Sequence, residues 1–231
     1  MLSVIIPTIN EEQNLRQILP QLKHYAQEIV LVDDGSTDGT VELAKRHGCV
    51  VVERGKKMDV GSAVYDGVRH ATGELVAVMD ADHSHPIEAL KSVVLIEVGS
   101  VDIIKFSRFI AGGGMEAKSR HFLMRYFNRF LAMVAGVHTQ DFTGGYVVAR
   151  KETFDYPQTA VQGEWNIEYM IHNRKKRIAE IPYIYRKRAS GQSNWNRWQD
   201  AKRVLRYLYY LFLYRWKAAL TRHEVDAKVS V

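Results

Sequence analysis

Cysteine is nearly absent from this 231-residue sequence, which has one, and proline is scarce, with five. A lone Cys49 excludes a disulfide framework and a cysteine zinc site, and it fits a reducing compartment. The opening MLSVIIPTINEE lacks the basic start and long apolar run of a signal peptide, so the expected location is cytoplasmic. No internal repeat, low-complexity tract or linker separates two domains. The chain carries a formal charge of +6, yet no nucleic-acid motif accompanies it, so nucleic acid is not an expected partner.

What is present is the composition of a folded globular protein, with 46% hydrophobic and 25% charged residues. The first third is close to balanced in charge, and Arg and Lys accumulate after residue 105. That asymmetry suits an anionic partner or a solvated basic face. SVIIPT (3–8), EIVLVDD (28–34), CVVVE and ELVAVMD are short apolar runs rich in β-branched residues, separated by stretches with helical spacing such as Leu15, Ile18, Leu19 and Leu22. Strands alternating with helices predict an α/β fold with a mostly parallel sheet and right-handed crossovers. Further along, VDIIKFSRFIAGGG reads as a strand entering a glycine loop. KSRHFLMRYFNRFLAMVAG reads as a helix with a broad apolar face and arginines on the other. RIAEIPYIYRKR reads as a strand that Pro182 confines to an edge or bulge. The expected division is residues 1–200 as the main domain and 201–231 as a helical tail.

Two successive strands end in acid, Asp33-Asp34 and Asp80-Ala81-Asp82. Ligands of open parallel sheets gather at the carboxyl ends of strands, and a period of two keeps Asp80 and Asp82 on one side of an extended chain. Two adjacent carboxylates offset their repulsion with raised pKa values or a cation. Oxygen-only ligands favour Mg2+ or Mn2+, shared with substrate phosphates. The calcium-loop reading of DDGSTDGT fails because Lys45 stands where a bidentate Glu is needed. Those residues also suit a helix cap, and His83 and His85 beside the acids read as zinc ligands or as a polar loop.

Taken together, SVIIPTINEEQNL, LVDDGSTDGT and VMDADHSHP resemble the family-2 glycosyltransferases of the GT-A fold. FSRFIAGGG, DFTGGYVVARKETF and AEIPYIYRKRASGQS are similar to the dolichol-phosphate (polyprenol-phosphate) mannosyltransferases, over roughly residues 3 to 195. The resemblance implies inverting transfer of mannose from GDP-mannose to a polyprenyl or dolichyl phosphate. It implies a nucleotide-sugar site at Pro7, Thr8, Asn10, Glu11, Asp33, Lys57, Asp80, Ala81 and Asp82, with Mn2+ or Mg2+ held by Asp80 and Asp82. Arg108, Arg120 and Arg188 match arginines around the diphosphate and the acceptor phosphate, and with Asp82 they form the implied catalytic set. Glu168 matches a family acid and is equally suited to pairing with an arginine.

The sequence departs from that pattern at four places. His83-Ser84 stands where a Leu-Gln pair would supply a further metal ligand, Met124 replaces a serine, Asn194 a lysine and Asp59 a glycine. A UDP-sugar enzyme with another acceptor, or a catalytically silent binding module, therefore stands beside the first reading. In the tail, the apolar and aromatic run Tyr207–Leu213 between Arg206 and Arg215 rises only about 12 Å as a helix, far short of the roughly 30 Å of a hydrocarbon core. Its Tyr, Trp and Arg content suits an interfacial helix that docks the chain peripherally on the cytosolic face of a membrane or meets a membrane protein. A terminal helix packed on the domain is the alternative.

Overall fold

Short apolar runs become strands of one sheet, seven of them, buried at its centre and partly exposed at the edge strands β3 and β8: β1 (Leu2–Thr8), β2 (Glu28–Asp33), β3 (Val50–Glu53), β4 (Leu75–Val78), β5 (Ile103–Ser107), β7 (Val147–Arg150) and β8 (Ile178–Pro182). A two-stranded ribbon pairs β6 (Gly114–Met115) with β9 (Ile184–Tyr185). The helices are α1 (Glu12–Leu22), α2 (Thr40–Arg46), α3 (Val60–His70), α4 (Lys118–Ala135) and α5 (Trp165–His172), with 3-10 segments at Ile87–Leu95 between β4 and β5 and at Lys151–Phe154 after β7. The computed structural model describes residues 1–55, 59–96, 100–116, 118–156, 165–186, 205, 207–209 and 211–212, with backbone alone at 94, 95 and 118–120.

The large sheet runs β3-β2-β1-β4-β7-β5-β8. All its pairings are parallel except those of β7, which is antiparallel to both β4 and β5. Because β7 reverses direction between them, β4 and β5 run the same way as β1 and β2. The carboxyl ends of these four strands therefore share one edge of the sheet. Strand order turns back between β1 and β4, the place where open α/β sheets form a crevice.

Pro7 stands where that crevice opens. β1 pairs with β4 only as far as Ile5–Val78, while its pairing with β2 continues to Thr8–Asp33. The edge of β1 that lacks an N–H at Pro7 faces the side from which β4 has already departed, so no ladder bond is lost. Pro182 ends β8, an edge strand that among the described residues pairs only with β5, as its lack of a donor requires.

The core under this edge is apolar. Val4, Ile6, Leu15, Ile18, Leu19, Leu22, Leu31, Ala77 and Phe106 are all fully buried. α1 supplies its Leu15, Ile18, Leu19 and Leu22 stripe at helical spacing.

α4 differs from the sequence expectation. Phe122, Leu123, Tyr126, Phe130 and Met133 are exposed, at 47–73%, while Asn128, Leu131, Ala132 and Ala135 are buried. The helix is seated by small side chains and by polar bonds described below, so its largest apolar residues point outward. Arg125 and Arg129 are exposed on the same helix.

The chain divides into two compact units, Met1–Gly191 and Gln192–Val231. In the second, residues 205, 207–209 and 211–212 are helical, and the remainder of the expected 201–231 tail lies outside the described residues. Among the described residues no helix is long and apolar enough to cross a membrane.

Candidate active site

The loops after β1 and β2 are stitched to each other before any ligand is considered. Asp34 N–H donates to Thr8 O at 3.0 Å, and the Thr8 hydroxyl donates to Val32 O at 3.3 Å. Asn10 adopts φ 55, a left-handed conformation that asparagine tolerates better than most residues. From there its N–H donates to Ser36 Oγ at 2.8 Å and its Oδ1 accepts from Thr37 N–H at 2.8 Å. Glu11 N–H donates to Thr40 Oγ1, and its carboxylate accepts from Asn14 Nδ2. Asp33 is 3% exposed, and its Oδ2 accepts from Gly35 N–H at 2.9 Å and Ser36 N–H at 2.8 Å. The structure thus gives Asn10, Glu11 and Asp33 loop-forming partners. Thr8 and Pro7 sit at the crevice edge.

Arg54, which follows β3, ties three elements together. Its side chain is 5% exposed. Nε donates to Asp34 Oδ1 at 2.6 Å, Nη1 to Ser62 Oγ at 2.6 Å and to Asp66 Oδ2 at 3.3 Å, and Nη2 to Asp59 O at 3.1 Å. Asp59 has its own local reason to be there: it caps α3 by accepting from Ser62 N–H at 3.0 Å.

The loop after β4 holds the acidic pair. Asp80 is half-exposed at its side chain, and among the described residues no donor hydrogen-bonds to its carboxylate. Asp82 is buried, with Oδ1 accepting from Ser84 N–H at 3.0 Å, and Ala81 between them is buried in the core. His85 Nδ1 accepts the Asp80 N–H at 3.0 Å, which assigns the ring proton to Nε2, 3.8 Å from Asp80 Oδ2. Burial lowers the His85 pKa against the pull of Asp80 and Asp82, so the ring is a neutral brace under the loop, and its acceptor nitrogen is already used. His83 adopts φ 64, and its Nε2 is buried without a partner among the described residues. His85 stacks on Tyr146 at 4.7 Å and meets Tyr183 and Tyr185 edge-on at 6.0 Å.

On the other side of that aromatic block stands Arg108, immediately after β5. Its Cζ lies 5.7 Å from the Tyr185 ring centroid and 5.0 Å from that of Phe109. Its Nε and Nη2 grip the two oxygens of Asp141 at 2.7 and 2.6 Å. The negative end of β4 and the positive end of β5 therefore flank one aromatic cluster at the carboxyl edge of the sheet. Glu168 lies on α5, where after burial it is the next cause of the raised Tyr65 pKa, so it faces α3. Lys57, Arg188 and Asn194 lie outside the described residues, as does the side chain of Arg120, whose backbone begins α4.

Sequence reasoning did not single out Lys105, Asp141 or Arg54. Lys105 is fully buried in β5, and its Nζ donates to Gly144 O at 2.5 Å. The signal was one lysine inside the otherwise apolar IIKFS. Burial lowers its pKa from 10.5 to about 8, opposed by Asp141. Below about pH 8 the cost of burying that charge is fully present. Between about pH 8 and 9.5 the folded chain releases the proton and the unfolded chain keeps it, so this group raises the unfolding free energy by on the order of 1 kcal/mol. Denaturant titrations across that range should show wild type gaining stability relative to Lys105→Met by that amount. Parallel pH profiles for the two would contradict the assignment.

Residues 3–156 match the family model described as Glycosyl transferase family 2. Among curated proteins, the chain is 29% identical to the dolichol-phosphate mannosyltransferase of Pyrococcus furiosus (strain ATCC 43587 / DSM 3638 / JCM 8422 / Vc1), covering 95% of this chain and 65% of that protein. The chain thus spans under two thirds of the length of that relative. It is 30% identical to the polyprenol monophosphomannose synthase of Mycolicibacterium smegmatis (strain ATCC 700084 / mc(2)155), over 82% of this chain and 79% of that protein. Among solved structures, glucosyl-3-phosphoglycerate synthase from Mycobacterium tuberculosis, in complex with Mn2+, uridine diphosphate and phosphoglyceric acid, superimposes with TM-score 0.67 at 19% identity, covering 93% of this chain and 78% of that one. That likeness concerns the fold. With a matching family model across two thirds of its length, and with the acidic strand end and the crevice in place, the chain belongs to glycosyl transferase family 2.

Proposed function

We propose that this chain transfers a hexosyl group, mannose, from GDP-mannose to a polyprenyl or dolichyl phosphate, with inversion at the anomeric carbon. The observation that carries the reading is the placement of Asp80 and Asp82 after β4 and of Arg108 after β5 about one aromatic cluster at the carboxyl edge of the sheet, in a chain whose relatives are named for this transfer. A divalent ion fits the donor set. The half-exposed Asp80 carboxylate and the Asp82 carboxylate offer oxygen alone, and no group of three or more acidic, His or Cys side chains competes among the described residues. Two protein carboxylates suit Mg2+ or Mn2+, which complete their shell with phosphate and water. When bound there, the ion supplies charge to the leaving diphosphate.

The side chains do the rest by position. Asp80 and Asp82 hold the diphosphate end of the donor, and the Asp33 and Asn10 loops form the wall for its nucleoside. Arg108 presents a fixed donor edge to phosphate oxygens. The acceptor phosphate is already anionic at neutral pH, so orientation in place of proton removal carries the attack. Arg120 and Arg188 join this set as acceptor-phosphate ligands.

Membrane association at the cytosolic face follows from the same reading. Phe122, Tyr126, Phe130 and Met133 lie on one side of α4 with Arg125 and Arg129 beside them, a pattern suited to anionic headgroups. The tail helix is the second contact. Co-sedimentation with anionic vesicles should fall several-fold for Phe122→Ser with Phe130→Ser, and unchanged binding would remove α4 from this role.

The donor is tested by thermal shift with Mn2+ and GDP, GDP-mannose, UDP or UDP-glucose. A ligand at 100 times its Kd adds about 2.7 kcal/mol, which raises Tm by about 5–10 °C in a chain of this size. The expected result is a shift with the guanosine compounds. A shift with the uridine compounds alone would replace the mannosyl reading with a UDP-sugar enzyme. No shift with any of them would favour the silent module.

A further inference from the structure

Arg108 is held more completely than the end of a strand requires. Besides the two-pronged contact of its side chain, its backbone N–H donates to Asp141 Oδ2 at 2.9 Å, so one carboxylate fixes both the main chain and the guanidinium. Nη2 also donates to Thr143 Oγ1 at 3.3 Å. Among the described residues no hydrogen bond engages Nη1. Asp141 itself is 0% exposed, and its Oδ1 also accepts from Gly144 N–H at 3.0 Å.

The turn that carries Asp141 is braced in turn from three elements. Asn128 of α4 is fully buried, accepts Thr143 N–H at 2.8 Å and donates to Met124 O at 2.8 Å. Asn166 of α5 donates to Thr143 O. Lys105 of β5 donates to Gly144 O. His121, also on α4, bonds through Nε2 to Arg108 O at 3.0 Å. The helix that bears the exposed apolar row and the Arg120 position is thereby joined to both sides of the same arginine.

We propose that Asp141 is the positioning residue for Arg108: from inside the first unit it orients the guanidinium so that the Nη1 edge is the one left to meet a substrate phosphate. This deepens the function proposed above and rests on it for the identity of that phosphate. A buried ion pair is by itself weak evidence for stability, because desolvation offsets much of its attraction. Its geometry here has a different use: the planar fork of arginine is specified in direction only when both prongs are fixed.

Two measurements test this. In 15N spectra of the wild-type chain, Arg108 Nε–H, assigned by its loss in Arg108→Gln, should be a sharp signal with non-averaged Nη resonances, the mark of restricted rotation. Averaged Nη signals would overturn the proposal with no variant needed, and so would a signal unchanged in Asp141→Asn. In transfer assays Asp141→Asn should lower kcat about 100-fold, the cost of a misplacement near 1 Å, with donor KM nearly unchanged. The double variant with Arg108→Gln should be no slower than Arg108→Gln alone, whereas losses that multiply would show Asp141 acting independently of Arg108. If wild type transfers nothing to polyprenyl phosphate, the functional reading falls, and the Arg108 spectra still decide the positioning.

Discussion

Asp82→Asn lowers glycosyl transfer by at least about 1,000-fold and leaves the fold intact. The stability expectation comes from geometry. The contact of Asp82 Oδ1 with Ser84 N–H needs only an acceptor, which the asparagine oxygen still supplies. The activity expectation comes from charge, since removing one of two carboxylates from a divalent site costs several kcal/mol of transition-state stabilisation, and each 1.36 kcal/mol is tenfold. Asp80→Asn should behave alike, and with a side chain half exposed it should cost still less stability. Initial rates together with denaturation midpoints check both. Transfer within tenfold of wild type in either variant would remove the acidic pair from the reaction.

The second large effect is on stability. Arg54→Met leaves Asp34 without the guanidinium that pairs with it at 2.5 Å in a site where both side chains are nearly enclosed. Breaking a buried pair from one side costs about 3–5 kcal/mol, a large part of the 5–15 kcal/mol that keeps a domain folded. The same change releases Ser62, Asp66 and the Asp59 carbonyl from Arg54, so the start of α3 and the end of β2 lose their common anchor. A denaturant midpoint shows the loss directly. If it is below about 1 kcal/mol, the arginine is a surface feature and the β2 loop does not depend on it.

The first half of the fold is legible because local signals agree: β-branched runs alternate with helical stripes, and each strand from β1 to β4 pairs in parallel with a neighbour of the same kind. The direction of β7 is not legible in that way. VVAR is as apolar as any parallel strand, and only long-range pairing with β4 and β5 sets it antiparallel. α4 misled for a related reason. Its sequence reads as a broad apolar face with arginines on the other, yet Asn128, Leu131 and Ala132 are the buried residues while Phe122 and Phe130 face out with Arg125 and Arg129. Periodicity reports an apolar face without saying what covers it.

The site divides similarly. Asp80 and Asp82 stand out because two acids end an apolar strand. Arg108 stands out only through its motif. Asp141 and Lys105 were passed over because their meaning lies in burial: a lysine in a strand and an aspartate in a turn are ordinary in sequence and become chemically distinct only at zero exposure, 2.5–3.0 Å from the same turn.

The measurement that bears most directly on this account is transfer of radiolabelled mannose from GDP-mannose to a short polyprenyl phosphate in detergent, with Mn2+, with Mg2+ and with chelator. The expected result is a labelled lipid product that forms with metal and disappears with chelator. Absence of lipid product under every condition, or a product untouched by chelator, would contradict it.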